Sequence, residues 1–153
     1  MAGTFTQMHV QIVYAVKFRQ SLIQPGWESE LYKYTTGIIQ EFDHKMLAIN
    51  GMPDHVHILI GLRPKQAVSD LVQKIKANSS KWINEQGFLK HRFEWQEGYG
   101  AFTYTKSHVP KVIEYIRNQK EHHKKVTFRE EYLKFLNWAE IEFDEKYIFK
   151  EPE

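Results

Sequence analysis

The feature that most constrains the fold is the run MPDHVHILI at residues 52–60. A turn residue, Pro53, precedes an apolar, β-branched stretch that is typical of a strand. Because side chains two residues apart in a strand share a face, His55 and His57 would point together, opposite to Val56. Two adjacent imidazoles can supply half of a metal site. Two half-buried structural histidines are the alternative interpretation, so a third ligand and a reacting group must come from elsewhere.

Hydrophobic periodicity predicts the order strand–helix–strand–strand–helix–strand, followed by helices. The first strand alternates over residues 8–16, and helical spacing follows at 27–43. A hairpin joins a strand at 45–51 to the histidine strand, and a long helix then runs from 68 to a stop before 87. This order is the ferredoxin-like split βαβ pattern of an α+β protein, whose antiparallel sheet carries two helices on one face. The histidine strand would be central.

The second half of the chain is predicted to contribute one more strand and two helices. Residues 93–105 are aromatic and β-prone, and two glycines among them suggest a bulge or a close backbone approach. Ser107 is a candidate N-cap for a third helix. Thr127 and Glu130 have capping-box spacing for a fourth helix. Residues 138–149 are apolar enough that we expect them to pack on the domain.

Composition bounds the class of protein. The 153 residues predict a single domain, residues 1–153. The net charge is only +2, so a polyanionic partner would need a local basic patch. The absence of cysteine excludes disulfides and thiolate ligands. There is no apolar run of membrane-spanning length and no signal-like segment, so we expect a cytoplasmic protein without a membrane partner.

The third helix carries a tyrosine that its apolar stripe does not require. Val112 and Ile116 belong to the stripe, whereas Tyr115, Gln119 and His122 lie together about a quarter-turn away. A boundary residue is the usual interpretation of a helical tyrosine. The combination of His-x-His with a downstream Tyr-x-x-x-Gln in this topology instead favours a reacting group.

Three blocks of sequence resemble one family. The blocks MPDHVHILI, WQEGYGAF and VIEYIRNQKEHH look like those of the one-tyrosine HUH transposases, in the same order. This family comprises single-strand insertion-sequence transposases and repeat-associated tyrosine transposases. The similarity spans nearly the whole chain, and FDEKYI near the C-terminus also matches. A His-x-His motif alone is a weak signal, but the three blocks together are a strong one.

The resemblance implies a C-terminal catalytic helix and a set of site residues. His55, His57 and Gln119 would hold a divalent ion, Mg²⁺ or Mn²⁺, and Tyr115 would be the nucleophile. His122 and His123 match a family feature to which we assign no role. The resemblance also implies a homodimer that cleaves and rejoins hairpin-containing single-stranded DNA through a 5′-phosphotyrosine. Asp54, next to the motif, could support the site or could simply be a turn residue, and the turn is the favoured interpretation.

DNA would be held by local basic groups at the end of the first strand, on the long helix and beside Tyr115. The candidates are Lys17, Arg19, Lys74, Lys76, Lys81, Arg117 and Lys120. Each could equally be a solvated surface residue. If several contact phosphate, log affinity should fall with log salt at about 0.7 per contact.

Three other classes of protein stay open at this stage. Replication initiators and relaxases use the same chemistry, but relaxases place the tyrosine before the histidines, and initiators usually carry a lysine where this chain has Gln119. A non-catalytic RNA-binding module on the same fold would stack bases on aromatics of its third strand, where this chain has His55 and His57. A histidine–metal phosphohydrolase is the last alternative.

Overall fold

The computed structural model of the protein describes residue 3 and residues 5–140. Its strands are β1 (His9–Ala15), β2 (Lys45–Met52), β3 (His55–Gly61) and β4 (Gly100–Tyr104). Its α-helices are α1 (Pro25–Glu41), α2 (Val68–Gln86), α3 (Val109–Arg117), α4 (Gln119–His122) and α5 (Phe128–Trp138). Short 3-10 turns occupy Lys17–Arg19 and Lys106–His108. No described helix is long and apolar enough to cross a bilayer.

The four strands form one antiparallel sheet in the order β2–β3–β1–β4. β3 therefore lies between two neighbours, and His57 is opposite Val13 of β1 and Asn50 of β2. This arrangement confirms the ferredoxin-like α+β fold and the central position of the histidine strand.

Helices cover both faces of the sheet. On one face, strand residues such as Ile12 and Ile58 pack with Leu31 of α1 and Ile75 of α2 in a single apolar cluster. The opposite face carries α3, α4 and α5, which the prediction had not assigned to a face. Because β3 alternates, its histidines project toward this second set of helices.

The aromatic segment forms less strand than predicted. Only residues 100–104 enter the sheet, while Phe93 and Trp95 are buried in the apolar cluster of α1 and α2. Trp95 keeps an isolated bridge to Val16. The predicted close approach occurs at Gly100, where an added Cβ would lie 2.8 Å from the Tyr132 hydroxyl.

The third helix is interrupted, contrary to prediction. α3 ends at Arg117, Asn118 has the non-helical angles φ −94° and ψ 17°, and α4 begins at Gln119. Ser107 does not cap α3 but lies in the preceding 3-10 turn, and His108 occupies the N-cap position.

The cap of α5 matches the prediction, because the Thr127 side chain accepts a hydrogen bond from the Glu130 backbone N–H at 3.2 Å. Trp138 at the helix end stacks on Tyr104 yet is 67% exposed, so it packs only partly. The rest of the apolar C-terminal segment, residues 141–149, lies outside the described residues.

Candidate metal centre beside Tyr115

Four side chains from three parts of the chain converge on one point. His55 and His57 of β3 are fully buried, and His123 follows α4 in a turn. Glu131 comes from the first turns of α5 and is 3% exposed. Their ligand atoms all lie within 4.8 Å of one another, so this cluster could hold a metal ion.

Two of the imidazoles turn lone pairs toward each other. The Nδ1 of His55 lies 2.7 Å from Asp54 Oδ1, and the Nδ1 of His123 lies 2.8 Å from the Val126 carbonyl oxygen. Both Nδ1 atoms must therefore donate, which leaves both Nε2 atoms unprotonated in the neutral rings. These Nε2 atoms are 3.2 Å apart. Two facing lone pairs repel one another, and a cation between them removes the repulsion.

Burial keeps these rings neutral, as metal binding requires. Burial lowers the pKa of His55 to about 3, against the opposing effect of the hydrogen bond that His55 donates to Asp54. Burial likewise lowers the pKa of His123 to about 4. At neutral pH both side chains can therefore offer a nitrogen lone pair.

The structure also brings Gln119, which the family resemblance implies as a ligand, to the same cluster. It is fully buried, its Oε1 lies 3.0 Å from His123 Nε2, and its Nε2 donates to Glu131 Oε2 at 3.4 Å. Ligands at 2.0–2.1 Å from one octahedral ion are roughly 3 Å apart. Several donor pairs have this spacing, at 2.9–3.3 Å, so three imidazoles, a carboxylate and an amide oxygen form a donor set that could hold a divalent cation.

Glu131 connects the cluster to Tyr115. Its Oε1 lies 2.9 Å from His57 Nε2 and 3.3 Å from His123 Nε2. Its Oε2 accepts a short hydrogen bond from the Tyr115 hydroxyl and lies 3.0 Å from His122 Nε2. One carboxylate thus has an oxygen toward the imidazoles and the other toward the phenol.

Tyr115 reaches the cluster although the helix breaks behind it. Its ring stands edge-on to His57 with centroids 6.0 Å apart, and its hydroxyl is 3.2 Å from His122 Nε2. The break at Asn118 therefore does not separate Tyr115 from Gln119, because both contact Glu131. All these side chains belong to one chain.

Asp54 lies in the turn between β2 and β3, as predicted, but it also supports the site. Asp54 is 8% exposed and accepts hydrogen bonds from His55 Nδ1 and from Arg19 Nη2, the latter at 2.8 Å. Burial raises its pKa, but the bonds from His55 and Arg19 outweigh burial and lower it to about 2. The charged carboxylate of Asp54 therefore holds the His55 ring in its orientation. The sequence signal for this supporting role was the position of a carboxylate directly before a candidate metal ligand.

His57 has its own support, which the sequence did not reveal. The side-chain amide of Gln11 on β1 lies 2.9 Å from His57 Nδ1, and the Tyr104 hydroxyl donates to Gln11 Oε1 at 2.8 Å. Gln11 is fully buried. The only sequence signal was a polar residue alternating with the apolar residues of the first strand.

Most of the predicted DNA contacts are engaged within the protein. Arg19 is 4% exposed and paired with Asp54, which contradicts its assignment as a phosphate contact on the surface. The other engaged groups are Lys17 with Glu94, Lys76 with the Gln96 carbonyl, Lys81 with Glu85, and Lys120 with Glu28 and Asn50. Lys74 and Arg117 are exposed on α2 and α3.

The fold and the site define a small α+β domain in which a candidate metal centre faces a tyrosine hydroxyl. A family model for IS200-like transposases matches residues 4–119. The chain belongs to this family of DNA-processing enzymes, which confirms the family prediction.

Individual relatives agree with that assignment. The ISDra2 transposase TnpA of Deinococcus radiodurans is 24% identical over 122 residues, covering 76% of this chain and 87% of that protein. The transposase for insertion sequence element IS200 of Salmonella typhimurium is 27% identical over 129 residues, covering 81% and 84%.

Two solved structures share the fold. One, assigned as a transposase from Deinococcus radiodurans R1, gives a TM-score of 0.63 at 22% identity and covers 78% of this chain and 95% of that one. The other is a REP-associated tyrosine transposase bound to a REP hairpin, with a TM-score of 0.61 at 15% identity, covering 82% and 74%. The family model ends at Gln119, so His123 and Glu131 lie beyond the matched segment.

Proposed function

We propose that this transposase cleaves and rejoins single-stranded DNA through a covalent 5′-phosphotyrosine on Tyr115, beside a divalent metal ion. The observation that carries the proposal is the Glu131 carboxylate, which contacts the imidazole cluster through one oxygen and the Tyr115 hydroxyl through the other. A nucleophile and a cation site that share one carboxylate suit phosphoryl transfer, which depends on positioning and charge stabilisation.

The metal would be held by His55, His57 and Gln119, with His123 and Glu131 completing the donor set. When bound, the ion would neutralise charge on the phosphate and orient it. Imidazole nitrogen is a better ligand for Mn²⁺ than for Mg²⁺, so this donor set favours Mn²⁺ of the two ions.

Tyr115 supplies the nucleophile. Its phenolic oxygen forms the bond to phosphorus, the bond from phosphorus to the 3′ oxygen breaks, and the departing 3′ oxygen takes a proton to become a hydroxyl. Glu131 Oε2, which accepts the hydrogen bond of the phenol, receives the phenolic proton. Rejoining reverses these steps with a 3′ hydroxyl of another strand, and no nucleotide cofactor is needed.

The substrate would be single-stranded DNA that contains a hairpin. Support comes from the family and from the REP-associated relative, whose structure holds a REP hairpin. The homodimer implied by the resemblance stays a prediction. The tyrosine and the histidines of one chain already meet, so a dimer need not exchange helices to build the site.

A covalent adduct tests the proposal. Labelled hairpin oligonucleotides are incubated with the protein and Mn²⁺ or Mg²⁺ and resolved on a denaturing gel. We expect a protein–DNA adduct with the wild type and none with Tyr115→Phe or with His55→Ala/His57→Ala. Tyr34→Phe is the matched control, because Tyr34 stacks on Trp82 at the opposite face of the sheet, and it should form the adduct normally. An adduct that persists in Tyr115→Phe would refute the nucleophile.

A further inference from the structure

Three lysines near Tyr115 differ from most of the predicted DNA contacts. Lys111, Lys125 and Lys134 are all exposed, and none forms an ion pair within the part of the chain that the structure describes. Lys111 and Lys125 line a surface pocket that includes Tyr115, together with Glu114 and Glu121, and Lys134 lines a second pocket that also includes Tyr115. Among the described residues, Lys134 is therefore a lysine without an ion-pair partner in the same pocket as the tyrosine to which we assign the chemistry.

The second pocket is an aromatic groove formed by Tyr104, Phe135 and Trp138. It has a volume of about 350 Å³, and Tyr115 and Glu131 also line it. This volume is at the lower end of the roughly 300–1,000 Å³ of small-molecule sites, which is room for a single planar group. The groove is thus continuous with the proposed site.

Trp138 has the position of a stacking platform. It lies nearly parallel to Tyr104, with an interplanar angle of 18° and centroids 6.0 Å apart. Because it is 67% exposed, much of the indole is left uncovered. The other wall is fixed, since Phe135 stacks on Phe102 at 5.1 Å and meets Tyr115 edge-on at 5.9 Å.

We propose that the aromatic groove binds a nucleobase of the single-stranded substrate next to the scissile phosphate. The base stacks on Trp138, and Lys134 contacts the adjoining backbone phosphate. Unspecific single-strand binding combines these two elements, aromatic faces for bases and cations for phosphates. The inference rests on the proposed function, because it names the subsite through which that substrate is held beside Tyr115.

Charge and position favour DNA as the occupant. A purely apolar partner would leave Lys134 without a counterpart, whereas a nucleotide offers a base to the Trp138 ring and a phosphate to the Lys134 ammonium. Stacking is also sequence-tolerant, so this subsite would hold the strand without selecting the base.

The test measures DNA binding without catalysis. Fluorescence anisotropy is recorded for full-length Tyr115→Phe protein in EDTA, with a labelled DNA hairpin that carries an oligo-dT extension. Adding Trp138→Ala should weaken binding about 5- to 150-fold, since stacking contributes about 1–3 kcal/mol per base, and Trp138→Phe should restore most of the affinity. Phe18→Ala is the control, because Phe18 is 74% exposed and does not line the groove. This substitution should leave the affinity for DNA unchanged.

Abasic DNA separates stacking from a general loss of structure. When the extension contains abasic sites instead of thymines, the protein that keeps Trp138 and the protein with Trp138→Ala should bind it with equal affinity. Lys134→Ala should lower the slope of log affinity against log salt by about 0.7, whereas Lys81→Ala on the other face of the sheet should not. Equal affinity of the Trp138 variants for oligo-dT would overturn the inference, as expected if residues 141–153 or a second copy cover the groove.

Failure of this inference can be told apart from failure of the proposed function. If the wild type forms the covalent adduct but Trp138→Ala binds DNA normally, only the base subsite is wrong. If Trp138→Ala weakens binding but the wild type forms no adduct, only the phosphotyrosine chemistry is wrong.

Discussion

The two faces of β3 are built from opposite kinds of side chain. Val56, Ile58 and Ile60 are at most 1% exposed and belong to the apolar cluster that includes side chains of α1, α2 and β1. His55 and His57 are equally buried, but their neighbours include carboxylates, amides and further imidazoles. One face of the strand therefore belongs to the apolar core, and the other belongs to the candidate metal centre.

The difference lies in what each face needs in order to be stable. The apolar face gains free energy by excluding water, and side chains of similar size can replace one another. The polar face is stable only while every buried polar group has a partner, because an unsatisfied one costs about 1–3 kcal/mol. Its hydrogen bonds to Asp54, Gln11 and Glu131 satisfy that condition, and they also orient the nitrogens that face the candidate metal position.

The largest expected effect comes from replacing, in separate variants, two adjacent residues that point to opposite faces of β3. Ile58→Ala should lower the free energy of unfolding by about 2–5 kcal/mol, because it leaves a cavity in the apolar cluster between the sheet and helices α1 and α2. The variant should still be stabilised by Mn²⁺. His57→Ala should instead lose the stabilisation by Mn²⁺. Urea unfolding in EDTA and in Mn²⁺ measures both quantities.

Ile58→Val is the matched control and should cost only about 0.5–1.5 kcal/mol. Stabilisation of His57→Ala by Mn²⁺ to the wild-type extent would break the comparison, because the polar face would then not be the metal-binding one.

The second-largest expected effect concerns Asp54, which is not a candidate metal ligand but holds the ring of one. Asp54→Asn keeps the shape of the side chain but removes the charge that fixes the His55 ring. We expect the affinity for Mn²⁺, measured by calorimetry, to fall 10- to 100-fold, as is usual for such supporting partners. Glu94→Gln alters an exposed carboxylate paired with Lys17 and should leave the affinity unchanged. An unchanged affinity in Asp54→Asn would mean that His55 is oriented by packing alone, for example by its stacking on Phe128.

The fold was predictable from the sequence because its signals are local. Alternation at 8–16 and 52–60 and helical spacing in between set the order of elements, and that order defines the sheet. Residues 93–105 were harder, since Trp95 and Phe102 have the same strand-like composition but only Phe102 lies in β4. Tertiary packing, not propensity, decides between them.

The site was only partly predictable, for a related reason. His55, His57, Tyr115 and Gln119 were found because motif spacing and family resemblance identify them. Glu131 carries no such signal, since its neighbour Glu130 accounts for the helix cap and a second glutamate there looks like a solvated residue. Its burial follows from the way α5 docks on the sheet, which is a long-range property that no local pattern encodes.

The smallest effect that we predict is a pH dependence confined to the polar face. Burial lowers the pKa of His55 to about 3 in the folded protein, whereas an unfolded histidine titrates near 6.5. Below pH 6.5 the unfolded chain thus binds more protons than the folded one, so stability is complete above pH 6.5 and declines toward pH 3.

In EDTA this histidine should contribute a loss of about 1 kcal/mol between pH 6.5 and 5.5, measured by urea unfolding. His123, whose pKa is lowered to about 4, should contribute a similar loss, so His55→Gln should make this part of the profile less steep, whereas His91→Gln, at an exposed position, should leave it unchanged. The decline that belongs to Asp54 falls in a separate range, between about pH 3.8 and 2, because its pKa is lowered to about 2. A profile in which stability is constant from pH 6.5 to 5 would show that His55 is open to water, and the polar face would then lack the dry environment that keeps its lone pairs free for a metal.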